Sequence, residues 1–199
     1  MKTTSWLKTI IISASFLGFL ACSNSQKPAD SKNIAEEQNE AGISATGNTQ
    51  KPDAQFLVDA AEINLEEIQL GQLAQQNSSV KEIKDLGRMM EKEHTQSLND
   101  LSVLAKKKMI SIPTSPTDKV NDEYKKLNDK SEKDFNKDFC DMMVNGHKKA
   151  ISKFEDATKN ASDADVRSWA VQTLPKLRSH LDHSVSCQKD YDNMNKMNK

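Results

Sequence analysis

Aromatic residues are scarce in this 199-residue chain, at 5% of the sequence, and there are only six glycines and five prolines. β-Sandwiches and barrels draw on aromatic strands and on many turn residues, so this poverty argues for helices built from Lys, Glu, Gln, Leu and Ala. No sign of charge is in excess either: 28 Lys+Arg stand against 29 Asp+Glu. With no basic cluster to set against that balance, no nucleic-acid partner is expected. The chain has no glycine-rich phosphate loop, no Gly-x-Ser-x-Gly turn and no Cys-x-x-Cys, hence no complete catalytic set. Its length suits one domain with residues to spare for tails. Cysteine and histidine are also sparse, at three and four, and the functional reading turns on where these few residues fall.

What is present at the amino terminus is an address. Lys2 and Lys8 precede an apolar stretch from Thr9 to Leu20. About a dozen residues are too few for a stable bilayer-spanning helix but suit a secretory signal. The ending Phe19-Leu20-Ala21-Cys22 resembles a bacterial lipoprotein signal, which implies removal of residues 1–21 and acylation of Cys22. Ser23 after the cysteine resembles the rule that sends lipoproteins to the outer membrane. Several acyl chains on Cys22 would anchor the protein firmly. The membrane, reached through the lipid, is thus one expected partner, with the protein facing the periplasm or the cell surface. Removing residues 1–21 takes away two positive charges and, with Cys22 acylated, leaves Cys140 and Cys187 as two free cysteines in an oxidising compartment.

From Ser23 to about Pro52 the only large apolar residues are Ile34 and Ile43. Such a composition predicts a flexible tether over residues 22–52, with a span on the order of 30 Å. After Pro52 the pattern is helical. The first predicted helix covers about Asp53 to Gln75 and carries Phe56, Ala60, Ile63, Leu70 and Ala74 on one face. The second runs from a turn and N-cap at Asn77-Ser78-Ser79 to about Lys108, and the third from a Ser131 cap to about Lys159. The fourth follows a turn at Asn160–Asp163, with a kink expected at Pro175. Pro113 and Pro116 mark a crossover that contains a short amphipathic segment with Val120, Tyr124 and Leu127. Long helices, two tight hairpins and a long crossover between the second and third predict an all-α fold, a four-helix bundle of ferritin-like type over residues 53–194, followed by a tail at 195–199.

The stretches FLVDAAEINLEEIQLGQLA, GRMMEKEHTQSL, DFCDMMVNGHKKAISKF and LPKLRSHLDH, in that order, resemble the bacterial family called domain of unknown function 4142. The similarity spans about residues 53–190. This chain departs from the usual pattern at Asn136 and Glu93, where the family mostly has Asp. The resemblance implies a ferritin-like bundle and an exported or envelope location; it assigns no activity.

Polar residues at inward positions need a reason, because burying them unpaired costs several kcal/mol. Glu67 falls on the first helix's apolar stripe, His94 on the second's and His180 on the fourth's, and His147 follows Met143 by one turn. Each lies near the middle of its helix, so the four are expected in one layer, with His183 one turn from His180. Ferritin-like di-iron sites take a Glu from two helices and Glu-x-x-His from the other two. Here Glu67 and a single Glu-x-x-His, Glu91 and His94, are available, so a standard di-iron oxidase is not expected. A mononuclear iron or copper site on His94, His147, His180 and Glu67 remains open. The repeated Met-x-x-x-His spacing, Met90/His94 and Met143/His147, offers thioether and imidazole ligands suited to Cu(I). In the alternative, the methionines fill core gaps and the histidines hydrogen-bond with Glu67 and one another.

Two functions follow. One is a non-enzymatic envelope lipoprotein with a structural, stress-related or interaction role. The other is a periplasmic metal-binding protein, for copper or iron, built on the mid-bundle His/Glu/Met cluster. No long strip of large exposed apolar residues calls for a dimer, so a monomer is expected. Register adds one further expectation. If the third and fourth helices form an antiparallel hairpin turning at Ser162–Asp163, His147 lies level with His180 and Cys140 with Cys187. Each cysteine is two helical turns from the histidine of its own helix, so both pairs share the facing stripes. A Cys140–Cys187 disulfide is therefore predicted.

Overall fold

A computed structural model describes residues 29–46 and 51–197, and among these every regular element is an α-helix. Cys22 and the leader lie outside the described residues. The six helices are α1 (Ser31–Thr46), α2 (Lys51–Asn77), α3 (Lys81–Lys108), α4 (Asp118–Asn128), α5 (Glu132–Asn160) and α6 (Ala164–Met197). Two hairpins, α2 with α3 and α5 with α6, pack side by side, α2 against α5 and α3 against α6; the short α4 crosses over α2 and α5. No helix among the described residues is long and apolar enough to cross a membrane.

The ends of the helices are set by local chemistry. Ser131 caps α5 by accepting from Asp134 N, and Thr117 caps α4 by accepting from Val120 N. Asp163 Oδ1 accepts from Asp165 N and Val166 N at the start of α6. The expected side-chain cap for α3 takes a different form: Val80 holds the N-cap position without a side-chain bond, and Ser78 Oγ accepts from Val80 N instead. Asp53 is buried at the beginning of α2 and accepts from both Ser162 N and Asp163 N, which fastens that end to the α5–α6 turn. Lys108 joins the same corner through ion pairs to Asp163 and Asp165. Helix α6 continues through Pro175 and on to Met197, beyond the boundary expected at residue 194.

The larger departure from expectation is α1. Its sequence has little apolar surface, yet the segment expected to be a flexible tether is helical over Ser31–Thr46. What secures it is mainly polar. Lys32 pairs with Asp59 and Glu62 of α2, and Asn39 exchanges two hydrogen bonds with the backbone of Ser111. Ala35, with its small side chain, is the buried contact.

The core has two apolar halves. One contains Leu57, Ala61, Leu101, Phe154, Val166 and Leu177; the other contains Leu73, Ile83, Met90, Phe135, Phe139 and Tyr191. Between them every long helix turns polar on its inner face: Asn64 and Glu67 on α2, His94 on α3, His147 on α5, and His180 and Ser184 on α6, all buried. Ser184 is satisfied within its own helix by donating to His180 O. The others meet at mid-height.

Candidate metal centre

His94, His147 and His180 come together from three different helices, with ring centroids 5.0–5.6 Å apart. They are 1–2% exposed. One ring nitrogen of each lies within 4.8 Å of one from each of the others. Metal–nitrogen distances of about 2.0–2.1 Å put the nitrogens of a tetrahedral site roughly 3.3 Å apart, so closing on an ion requires each ring to move by less than about 1 Å.

The remaining nitrogen of each ring is held by the protein, and the holder fixes the tautomer. Asn64 Nδ2 donates to Ala60 O at 2.8 Å, which turns the amide oxygen toward His94; His94 Nδ1–H therefore donates to Asn64 Oδ1 at 2.9 Å. His147 Nδ1–H donates to the Met143 carbonyl at 2.8 Å, and His180 Nε2–H donates to the Glu93 carboxylate at 2.9 Å. A neutral imidazole has one N–H and one lone pair. With the three N–H groups spent outward, lone pairs remain on His94 Nε2, His147 Nε2 and His180 Nδ1, and none has a protein partner. The histidines cannot satisfy one another, since no N–H is left among them. A carboxylate or carbonyl behind each imidazole is the outer-shell arrangement that orients metal-binding histidines.

The electrostatics keep those lone pairs available. Desolvation holds His94 well below the usual imidazole range, reinforced by its two histidine neighbours, and lowers His147 to about 4. His180 is also lowered by burial, with Glu93 pulling the other way. Each unsatisfied buried acceptor costs about 1–3 kcal/mol. Three together are a large fraction of a domain's net stability of about 5–15 kcal/mol. A cation is the partner that suits three clustered imidazoles, each with an unpartnered lone pair.

A model of the family described as a domain of unknown function (DUF4142) matches residues 38–186. The chain belongs to this family. The match begins inside α1 and ends one residue before Cys187, so the DUF4142 region contains all three histidines. No curated protein and no solved structure matches the chain.

The other residues expected at the site of this DUF4142 chain are placed differently. Glu67 is buried, but its Oε1 stands 3.6 Å from His147 Nδ1, the nitrogen already bonded to Met143, so it lies behind the ring and outside the ligand trio. Desolvation, with a smaller push from Glu66, raises its carboxyl well above the ordinary range. Glu91 accepts from Gln72 and Gln75 at the α2–α3 interface, away from the histidines. Met90 and Met143 are buried in the apolar half that contains Phe135 and Phe139. His183 is exposed, because one turn beyond His180 the helix has already rotated its side chain outward. Cys140 and Cys187 face each other as predicted, with their sulfurs 3.6 Å apart, as two buried thiols rather than a bond. The partner thiol and burial push Cys140 up.

Sequence reasoning missed Asn64 and Glu93. Asn64 had one readable signal: it is an amide in a buried helical stretch, one turn after Ala60. Glu93 had none in its own helix, since it serves a histidine on α6.

Proposed function

We propose that this chain is a metal-binding protein of the cell envelope, a ferritin-like four-helix bundle that takes one transition-metal ion between His94, His147 and His180. The observation that carries the reading is a set of three buried histidines whose ring nitrogens gather within 4.8 Å, each keeping one nitrogen without a protein partner and each fixed from behind by Asn64, the Met143 carbonyl or Glu93. An all-imidazole set suits copper, zinc or iron(II) and does not suit magnesium or calcium, which take oxygen ligands. The pairing of α2–α3 beside α5–α6 supports the bundle architecture. A purely structural or interaction role would leave the polar belt unexplained, because an apolar layer would serve it better.

Elemental analysis of untagged protein tests this. After exposure to copper, zinc or iron(II) and removal of excess, wild-type protein is expected to retain about one ion per chain. His94→Ala/His147→Ala is expected to retain none. A wild-type protein that retains no metal, or a double variant that retains as much as wild type, refutes the proposal.

The envelope address rests on the Phe19–Cys22 sequence and on Ser23. Cys22→Ser is expected to abolish lipid labelling and release the protein in soluble form. Lipid labelling that survives the substitution refutes the anchor.

A further inference from the structure

A site this deeply buried needs a way in. An open cavity of ≈ 600 Å³ lies along the seam between α2 and α5, beneath α4, and carboxylates outnumber lysines along its walls. The other six carboxylates of the wall each have a lysine partner: Asp59 and Glu62 share Lys32, Glu66 pairs with Lys119, Glu123 with Lys126, Asp138 with Lys130 and Asp141 with Lys137. Glu67 differs from all of them. It lines the cavity at 4% exposure, and its Oε2 has no partner. Its Oε1 reaches 3.6 Å from a ring nitrogen of His147. Opposite it stands Gly146, where a Cβ would meet Glu67 Oε1 at 3.2 Å. Helix α5 is thus bare at the point where this carboxyl meets the cavity, and a single imidazole ring separates Glu67 from the centre of the trio.

Building on the metal-centre reading, we propose that this cavity is the entry path for the ion and that Glu67 is its relay, a cation site at the cavity floor that hands the ion to the histidines. The chemistry runs in the right direction. A hydrated divalent cation exchanges water for carboxylate oxygen readily, while first-row ions from iron to zinc are held more firmly by several imidazoles, so transfer inward is downhill. The passage requires the His147 ring to swing aside, which interrupts its one bond to the Met143 carbonyl. Glu93, on the α6 side of the trio, is poorly suited to the same task because its Oε2 is occupied by the His180 N–H. Glu67 is therefore a positioning residue for uptake rather than one of the final ligands.

Co2+ is a suitable probe, because its visible d–d bands report entry into a tetrahedral nitrogen site. Wild type, Glu67→Gln and Gly146→Ala would be mixed with Co2+ in a stopped-flow spectrometer, and both the rate and the final amplitude recorded. Glu67→Gln keeps the shape of the side chain and weakens the cation ligand; it is expected to slow band growth about tenfold at unchanged final amplitude. Gly146→Ala presses a methyl group against Oε1 and is expected to slow growth several-fold, so the test survives if one variant fails to fold. Equal rates in wild type and a folded variant, with both sites filling, overturn the relay and leave the centre standing. A lower final amplitude in Glu67→Gln overturns it too, by making Glu67 a ligand. A wild-type protein that never develops the band overturns the centre and the relay together.

Discussion

Gly87→Ala is expected to destabilise the protein by about 2–3 kcal/mol, although alanine is the better helix former by about 1 kcal/mol. The reason is the approach of α2 to α3. A Cβ at Gly87 would lie 2.6 Å from the Gly71 carbonyl oxygen and 2.9 Å from Ala74 Cβ; a Cβ at Gly71 would lie 2.6 Å from the Gly87 carbonyl oxygen. The obstacle on each side is backbone, which cannot rotate away as a side chain can. The helices would have to separate, loosening Leu73, Ile83 and Met90, which are now fully buried. For a chain of this length the loss corresponds to a fall in melting temperature of about 5–10 °C. Gly71→Ala/Gly87→Ala should cost less than the two single changes added, because one separation relieves both clashes. Gly42→Ala, where an added Cβ meets nothing within 4 Å, is the control and should leave stability unchanged or slightly raised. Thermal unfolding followed by circular dichroism checks the series. A Gly87→Ala protein that melts with wild type would mean that the helices do not approach this closely.

The glycine contact illustrates which features can be read from a sequence and which cannot. Phe135, Phe139, Phe154 and Leu177 repeat at helical spacing because they face a core, so the long helices and their turns were legible. The histidine layer was legible for the same reason, since a polar residue in an apolar stripe stands out. Gly71 and Gly87 read only as weak points in helices, because their function is a distance between two segments. Glu93 was hidden in the same way. The spacing Glu-x-x-His drew attention to Glu91, on the same side of its helix as His94, whereas the carboxylate in use supports His180 from a neighbouring helix. Helix α1 escaped notice because Lys32 and Asn39 secure it through partners about 30 and 72 positions away, and hydrophobic periodicity registers neither.

Oxidation of Cys140 and Cys187 is expected to stabilise the protein by about 4 kcal/mol in the chain-entropy model, less any strain. The register argument that pairs these cysteines is met by the geometry: the sulfurs face each other at 3.6 Å, on α5 and α6, 47 positions apart in sequence. A bond needs them at about 2.05 Å, a closure within reach of side-chain rotation and a small helix shift. Two thiols lose two protons and two electrons in the process, and an external disulfide such as oxidised glutathione accepts the electrons. The first step is slow in the folded state, because both thiols are buried, out of reach of an external disulfide. The bond is therefore expected to form efficiently during refolding in the presence of oxidised glutathione and poorly when native reduced protein is treated. Protein refolded oxidatively should melt about 10 °C above the same protein after reduction. It should also yield a linked Cys140–Cys187 peptide by mass spectrometry. Cys140→Ser/Cys187→Ser should melt at one temperature under both conditions. Two freely alkylated thiols after oxidative refolding, or no difference in melting between the two forms, would rule the bond out.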